Sequence, residues 1–223
     1  MEIAVRFVAA AVVAYLMGAM PWAVIVVRLF WKQDIRTLGS GNSGATNVLR
    51  VFGVPPALAV AVLDVAKGAL GVWLAMLIAP ADASLDMRDW FGVVGALAAV
   101  TGHSYSPFIG FRGGKGVATS AGALMVLAPW VWPPLLLAFV VLVAAVKIVS
   151  VASMTLAVLL PLACWLIYPE RHILLLFGVL TSAVVLWRHR SNMKRLAHGE
   201  EPKITLKRRL WDDMKSRTND RGE

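Results

Sequence analysis

The sequence predicts an all-α, polytopic integral membrane protein with seven transmembrane helices, its N-terminus outside and its C-terminus cytoplasmic. Three observations carry this. The 223-residue chain is 59% hydrophobic, where a soluble domain is nearer half apolar. Its long apolar runs are almost free of charge, the pattern of lipid-spanning helices. The net charge of +9 gathers in particular segments, above all the C-terminal one, as cytoplasmic flanks of membrane helices do.

The elements follow in order. Residues 3–31 contain "FVAAAVVAYLMGAMPWAVIVV", too long for a signal h-region and followed by further apolar segments, so a retained helix is expected. Pro21 should kink it, which neighbouring helices tolerate. A second span over 54–79 carries Asp64 and Lys67 at i and i+3. Intramembrane charges are costly and either pair or face a cavity, so the two are read as a mutual pair or as support beneath a site. The third span is 89–106. The next apolar stretch, from Val117 to Lys147, has 31 residues, against the roughly 20 that cross a bilayer upright. Pro129, Pro133 and Pro134 mark a break, giving helices over 117–129 and 130–147. Spans over 152–168 and 171–188 complete the set. Cys164, the single cysteine, has no charged or His neighbour in sequence and reads as a packing residue.

Charge decides between six spans and seven. Arg188, Arg190, Lys194, Arg195 and the basic residues beyond fix the C-terminal flank as cytoplasmic. Seven spans then place Arg28, Lys32, Arg36, Arg50, Arg112, Lys115 and Lys147 on the same side, with only Arg6, Arg88 and Arg171 outside. Six would divide the basic clusters between the two sides. Residues 1–205 are expected to form one transmembrane domain, and 206–223 a basic cytoplasmic tail. The charge reads as topology and contact with anionic lipid. No nucleic-acid motif accompanies it, so nucleic acid is set aside as a partner.

With this topology four polar segments share the cytoplasmic face: "DIRTLGSGNSGATNVLR", "TGHSYSPFIGFRGGKGVATS", "KIVSVAS" and "WRHRSNMKRLAHGEEP". Their convergence points to one site. In the first, Ser40, Asn42, Ser43, Thr46 and Asn47 crowd a glycine-rich stretch beside hydrocarbon. Irregular backbone at that depth must line a protein-walled or watery cavity. Asn47 is a candidate cap for the short helix carrying Arg50. In the second, Gly113, Gly114 and Gly116 let backbone approach a ligand. N–H groups at the start of the following helix, with Lys115, suit a phosphate. The plain alternative is a helix-start loop with a snorkelling Lys. The segment is not a P-loop, since no Ser or Thr follows the Lys. In the last, His189 and Asn192 share a helical face within what could be an ordinary basic stop-transfer flank.

Other chemistries are set aside. HExxH, Cys/His clusters and paired carboxylates on the cytoplasmic loops do not occur, so no metal or cofactor is expected. G-x-S-x-G is missing too. Group transfer to or from a phosphate-bearing substrate fits best.

The stretches "GSGNSGATNVLR", "GHSYSPFIGFRGGKGVAT" and "RHRSNMKRL" resemble, in words, order and spacing, the three motif blocks of the bacterial acyl-phosphate:glycerol-3-phosphate acyltransferases, the PlsY family. "LDVAKG" and "VSVAS" resemble intervening family stretches, so the likeness runs from about residue 34 to 204. One departure is Tyr-Ser before Pro107, where the family usually has an aromatic residue. The resemblance implies an inner-membrane enzyme of phospholipid synthesis with its site facing the cytoplasm. It would move an acyl chain from acyl phosphate to the sn-1 hydroxyl of glycerol 3-phosphate, releasing lysophosphatidic acid and phosphate. It implies Ser40, Asn42, His189 and Asn192 at the reacting centre. Arg50, Lys115 and Ser153, with Asn47 and the glycines Gly113, Gly114 and Gly116, would bind substrate. Membrane lipids and the upstream acyl-phosphate-forming enzyme are candidate partners.

Acyl phosphate is a mixed anhydride, so transfer needs neither a covalent intermediate nor a metal if cations neutralise its phosphate. Direct attack by the glycerol hydroxyl is expected. Backbone N–H groups of Gly39–Gly44, with Asn42, would stabilise the oxyanion, and His189 or a substrate phosphate would act as base. The rival reading is a phosphate-type anion transporter. Against it, transporter sites sit near the midplane between repeats, and no internal repeat is visible.

Overall fold

The computed structural model describes residues 1–204; the tail expected over 206–223 lies outside them. The described residues form helices joined by turns and loops, without strands: α1 (Glu2–Ala19), α2 (Trp22–Trp31), α3 (Ala45–Phe52), α4 (Val54–Leu77), α5 (Leu85–Ser104), α6 (Val117–Leu127), α7 (Trp132–Val146), α8 (Val149–Ile167), α9 (His172–Arg188) and α10 (Arg190–Ala197). Single 3-10 turns occur at Ile35–Thr37 and Pro107–Ile109.

Each of the seven expected apolar segments is helical, and local chemistry sets where they break. Pro21 bends the first at the junction of α1 and α2, as expected, and the two helices together still form one 30-residue apolar span. The carbonyls released there find side-chain donors: Ser106 Oγ reaches Ala19 O at 2.6 Å and Lys67 Nζ reaches Met20 O at 2.8 Å. The prolines after Ala128 separate α6 from α7, as expected. Ser84 caps α5 by accepting from Met87 N, so that helix starts four residues before the expected Asp89. α8 starts at Val149, so "VSVAS" is its first turns and not a loop. Three of these elements are long and apolar enough to cross a membrane, at Glu2–Trp31, Val54–Leu77 and Val149–Ile167; α9 with α10, bent by 56°, makes a possible fourth.

α4 is central. It packs against α1, α5 and α6, while α8 lies along α9. Small residues permit the close crossings. A Cβ on Gly68 would fall 2.1 Å from Thr119 O, and one on Gly122 would fall 1.9 Å from Val65 O. α6 therefore meets the middle of α4 backbone to backbone. At the α8–α9 contact, Pro161 supplies no N–H for Ala157 O, and Ser182 Oγ donates to that carbonyl instead. Gly178 makes room for the proline ring. Val72, Leu127, Leu174 and Phe177 fill the interior beside these helices. Leu58, Leu137, Val158 and Leu166 face outward, as a lipid-facing surface requires. Far from the polar segments, Arg171 holds Asp89 with two hydrogen bonds of 2.9 and 2.5 Å.

Candidate active site

The polar segments do converge, and the residue that gathers them is Glu201. Its side chain is only 1% exposed. Ser150 Oγ on α8 donates to Oε1 at 2.7 Å, Asn192 Nδ2 on α10 donates to Oε1 at 2.6 Å, and Arg195 Nε donates to Oε2 at 2.7 Å. Arg50 Nη2 on α3 lies 3.9 Å from Oε1. A further bond, Ile204 N to Lys147 O at 2.7 Å, straps the segment after α10 to the end of α7. Burial alone would raise the Glu201 pKa, but the donors from Ser150, Asn192 and Arg195 outweigh it and hold the carboxyl below its ordinary value.

Four sequence-predicted residues meet around this carboxylate: Arg50, Lys115, His189 and Asn192. Lys115 is half-buried between the charges of Glu201, Arg195, Arg50 and Arg188. Burial, with the neighbouring arginines, lowers its pKa to about 8. His189 is 2% exposed. Its Nδ1 lies 2.8 Å from Val185 O. That contact makes Nδ1 the protonated nitrogen and leaves Nε2 as an acceptor. Burial first, then Lys115 and Arg188, push its pKa down to about 4, so the imidazole is neutral at pH 7. Arg50 Nε, Asn192 Oδ1 and Ser43 Oγ are buried without a hydrogen-bond partner among the described residues. Such atoms point to a ligand.

The glycine-rich turn is built differently from expectation. Gly113 N donates to Ser104 O and Gly114 N to His103 O, both at 3.1 Å. These two N–H groups face the end of α5, so they are not anion donors. Arg188 takes the carbonyls, with Nη2 at 3.0 Å from Gly113 O and 2.8 Å from Gly114 O. A Cβ on Gly113 would fall 1.9 Å from His103 O, so glycine here serves close packing. The N–H groups free to meet an anion are those that open α6 after Gly116, whose φ of +83° favours glycine.

The loop over 38–44 is likewise pinned from within. Asn47 Oδ1 accepts from Ser40 N at 2.9 Å, and Nδ2 donates to Leu38 O at 2.9 Å and Ile35 O at 3.2 Å. Asn47 thus holds the loop and does not cap α3, whose cap is Gly44. With Gly41 N bonded to Leu38 O at 3.0 Å, two of the N–H groups expected as oxyanion donors over Gly39–Gly44, those of Ser40 and Gly41, are already taken. Ser40 is exposed at the loop's rim, and Asn42 is half-buried. Arg36 Nη1 reaches Ile109 O at 3.4 Å, joining this loop to the turn before Gly113.

Ser153 is buried on α8, one turn beyond Ser150, and it is Ser150 that bonds Glu201. Sequence reasoning missed Glu201, Ser150 and the roles of Arg188 and Arg195. The available signal was Glu201 itself, one of the few acids in a basic segment.

Known proteins match this chain along nearly all its length. The glycerol-3-phosphate acyltransferase family model matches residues 8–199. A glycerol-3-phosphate acyltransferase from Synechococcus elongatus is 43% identical over 199 residues, covering 88% of this chain and 94% of its own. One from Staphylococcus aureus is 39% identical over 193 residues, covering 86% and 94%. Crystal structures of PlsY (YgiH), an integral membrane glycerol 3-phosphate acyltransferase, are similar in fold. Its glycerol 3-phosphate form gives a TM-score of 0.79 at 31% identity, covering 89% of this chain and 96% of that one. Its lysophosphatidic acid form gives 0.77 at 30%. The chain belongs to the glycerol-3-phosphate acyltransferase family.

Proposed function

We propose that this protein acylates the sn-1 hydroxyl of glycerol 3-phosphate, with acyl phosphate as donor and without a metal ion, giving lysophosphatidic acid and phosphate. The observation that carries this is the meeting of Arg50, Lys115, His189 and Asn192, from three separate segments, around unpaired buried polar atoms. In this reading Lys115 and the opening N–H groups of α6 hold the phosphate of glycerol 3-phosphate. Arg50 and Arg195 neutralise the phosphate of the donor. Ser40 and Asn42 line the acyl carbonyl, with the N–H groups after Asn42 as oxyanion donors. Ser153 completes the wall from α8, and Asn47, Gly113, Gly114 and Gly116 shape the two loops.

The hydroxyl oxygen attacks the acyl carbonyl carbon, the tetrahedral oxyanion collapses, and phosphate leaves. An imidazole held near pKa 4 keeps a proton poorly at neutral pH. His189 therefore orients the hydroxyl through Nε2, and a phosphate oxygen of the donor takes the proton. The acyl chain lies in an apolar groove of about 360 Å³ lined by Val26, Phe30, Trp31 and Pro55, beside the helix that carries Arg50. Residues 1–205 act as one unit in a bacterial inner membrane, with seven spans, an outer N-terminus and the site on the cytoplasmic side. The donor is drawn from the enzyme that makes acyl phosphate.

The test is an assay of purified protein with palmitoyl phosphate and glycerol 3-phosphate in EDTA, beside a palmitoyl thioester. Lysophosphatidic acid formed from the phosphate donor alone, undiminished by chelation, supports the reading. Use of the thioester, or loss of activity with EDTA, overturns the donor or the metal assignment respectively.

A further inference from the structure

Beneath the glycine-rich turn lies a buried cluster that the reaction leaves unused. Asp64 and Lys67 on α4 and His103 at the end of α5 have side chains only 3%, 3% and 6% exposed. Lys67 Nζ lies 2.7 Å from Asp64 Oδ1 and 2.8 Å from Met20 O. The same Oδ1 lies 3.6 Å from His103 Nδ1. The other edge of the ring faces the ligand loop: a Cβ on Gly114 would fall 2.1 Å from His103 Nε2. Gly114 N also donates to His103 O.

A continuous line of contacts therefore runs from the α1–α2 break to the residue before Lys115. Stability alone is a poor reason for it. Three ionisable groups cost much to bury, and apolar residues of similar volume are often as stable. What apolar residues would not supply is a ring of fixed orientation. The turn is gripped from both sides, with the His103 ring against Gly114 and the Arg188 guanidinium on the Gly113 and Gly114 carbonyls.

We propose that Asp64, Lys67 and His103 are positioning residues for Lys115: Lys67 anchors Asp64, Asp64 sets the His103 ring, and the ring sets the height of Gly114 and hence of the ammonium. This rests on Lys115 binding the phosphate of glycerol 3-phosphate. None of the three touches substrate.

The test is steady-state kinetics on the purified full chain, varying glycerol 3-phosphate, for His103→Ala, Lys115→Ala and the double variant. His103→Ala is expected to raise KM for glycerol 3-phosphate about tenfold while kcat stays within about twofold. The double variant is expected to be no worse than Lys115→Ala alone, because both act through one group. His103→Gln, which keeps bulk and a hydrogen-bonding edge, should give an intermediate KM, and it carries the test if the alanine variant fails to fold. A KM left unchanged at His103 while Lys115→Ala raises it overturns the positioning role alone, as does a multiplicative double variant. A KM unchanged in Lys115→Ala overturns the phosphate assignment and this inference with it.

Discussion

Lys115 places its charge where pH can reach it. Burial and the neighbouring arginines lower its pKa to about 8, so the ammonium is present below that pH and lost above it. KM for glycerol 3-phosphate should be flat at neutral pH and rise as pH passes about 8 in a series of initial-rate measurements. Lys115→Arg should abolish the rise, since guanidinium does not deprotonate in this range. Glu201 carries the opposite sign. Its carboxyl is held below the ordinary value of 4.5, so its stabilisation is present above that value and fades as pH falls through the lowered one. Glu201→Ala leaves Arg195, Arg50 and Asn192 facing one another without their common acceptor. It should cost about 3–5 kcal/mol, read as a lower melting temperature in detergent, with no compensating gain in kcat. Lys115, His189 and Asn192 stood out in the sequence because a basic or amide residue in a glycine-rich or short polar segment contrasts with hydrocarbon, whereas Arg50 entered through the family resemblance. Glu201 did not stand out, since a glutamate in a basic flank looks like solvated charge until the chain after α10 folds back. Ser150 and Ser153 sit three apart on one helix, and only the position of Glu201 shows that Ser150 is the one bonded to it.

At the scale of elements, the helices were legible because apolar runs and prolines delimit them, and the errors fell at their ends. α8 begins three residues before the expected start because nothing in "KIVSVAS" forbids helix, whereas its serines suggest loop. Two crossings make sharp predictions. Gly122→Ala drives a methyl into Val65 O and should cost about 1–3 kcal/mol, seen by thermal unfolding. It should also raise KM for glycerol 3-phosphate, because α6 carries at its start the turn proposed to hold the phosphate. Ser182→Ala strips the donor from Ala157 O, which Pro161 leaves without its helical partner. It should destabilise the protein by about 1–2 kcal/mol. Pro161→Ala in the same chain restores an N–H and should recover much of that loss in the same melting experiment.

The whole molecule raises the question of sidedness, which charge bias predicts and side-specific labelling can measure. Cys164 is fully buried, so a Cys164→Ala background is cysteine-free and accepts single probes. Cysteines at Lys32 and Arg112 should resist a membrane-impermeant maleimide in intact spheroplasts. Cysteines at Asp82 and Glu170 should react. The reverse pattern overturns the orientation. One feature of the architecture reaches further. α6 has 11 residues, about 16 Å of helix, and it meets α4 near Gly68 rather than at an end of α4. The glycine-rich turn is thus recessed beside the middle of a long helix, whereas the proposed acyl groove is lined by Val26, Phe30, Trp31 and Pro55. On the proposed function the two substrates would arrive in different dimensions, one counted per litre and the other per unit of membrane area. Diluting the donor with inert lipid at constant bulk amount should slow the enzyme as sharply as removing it.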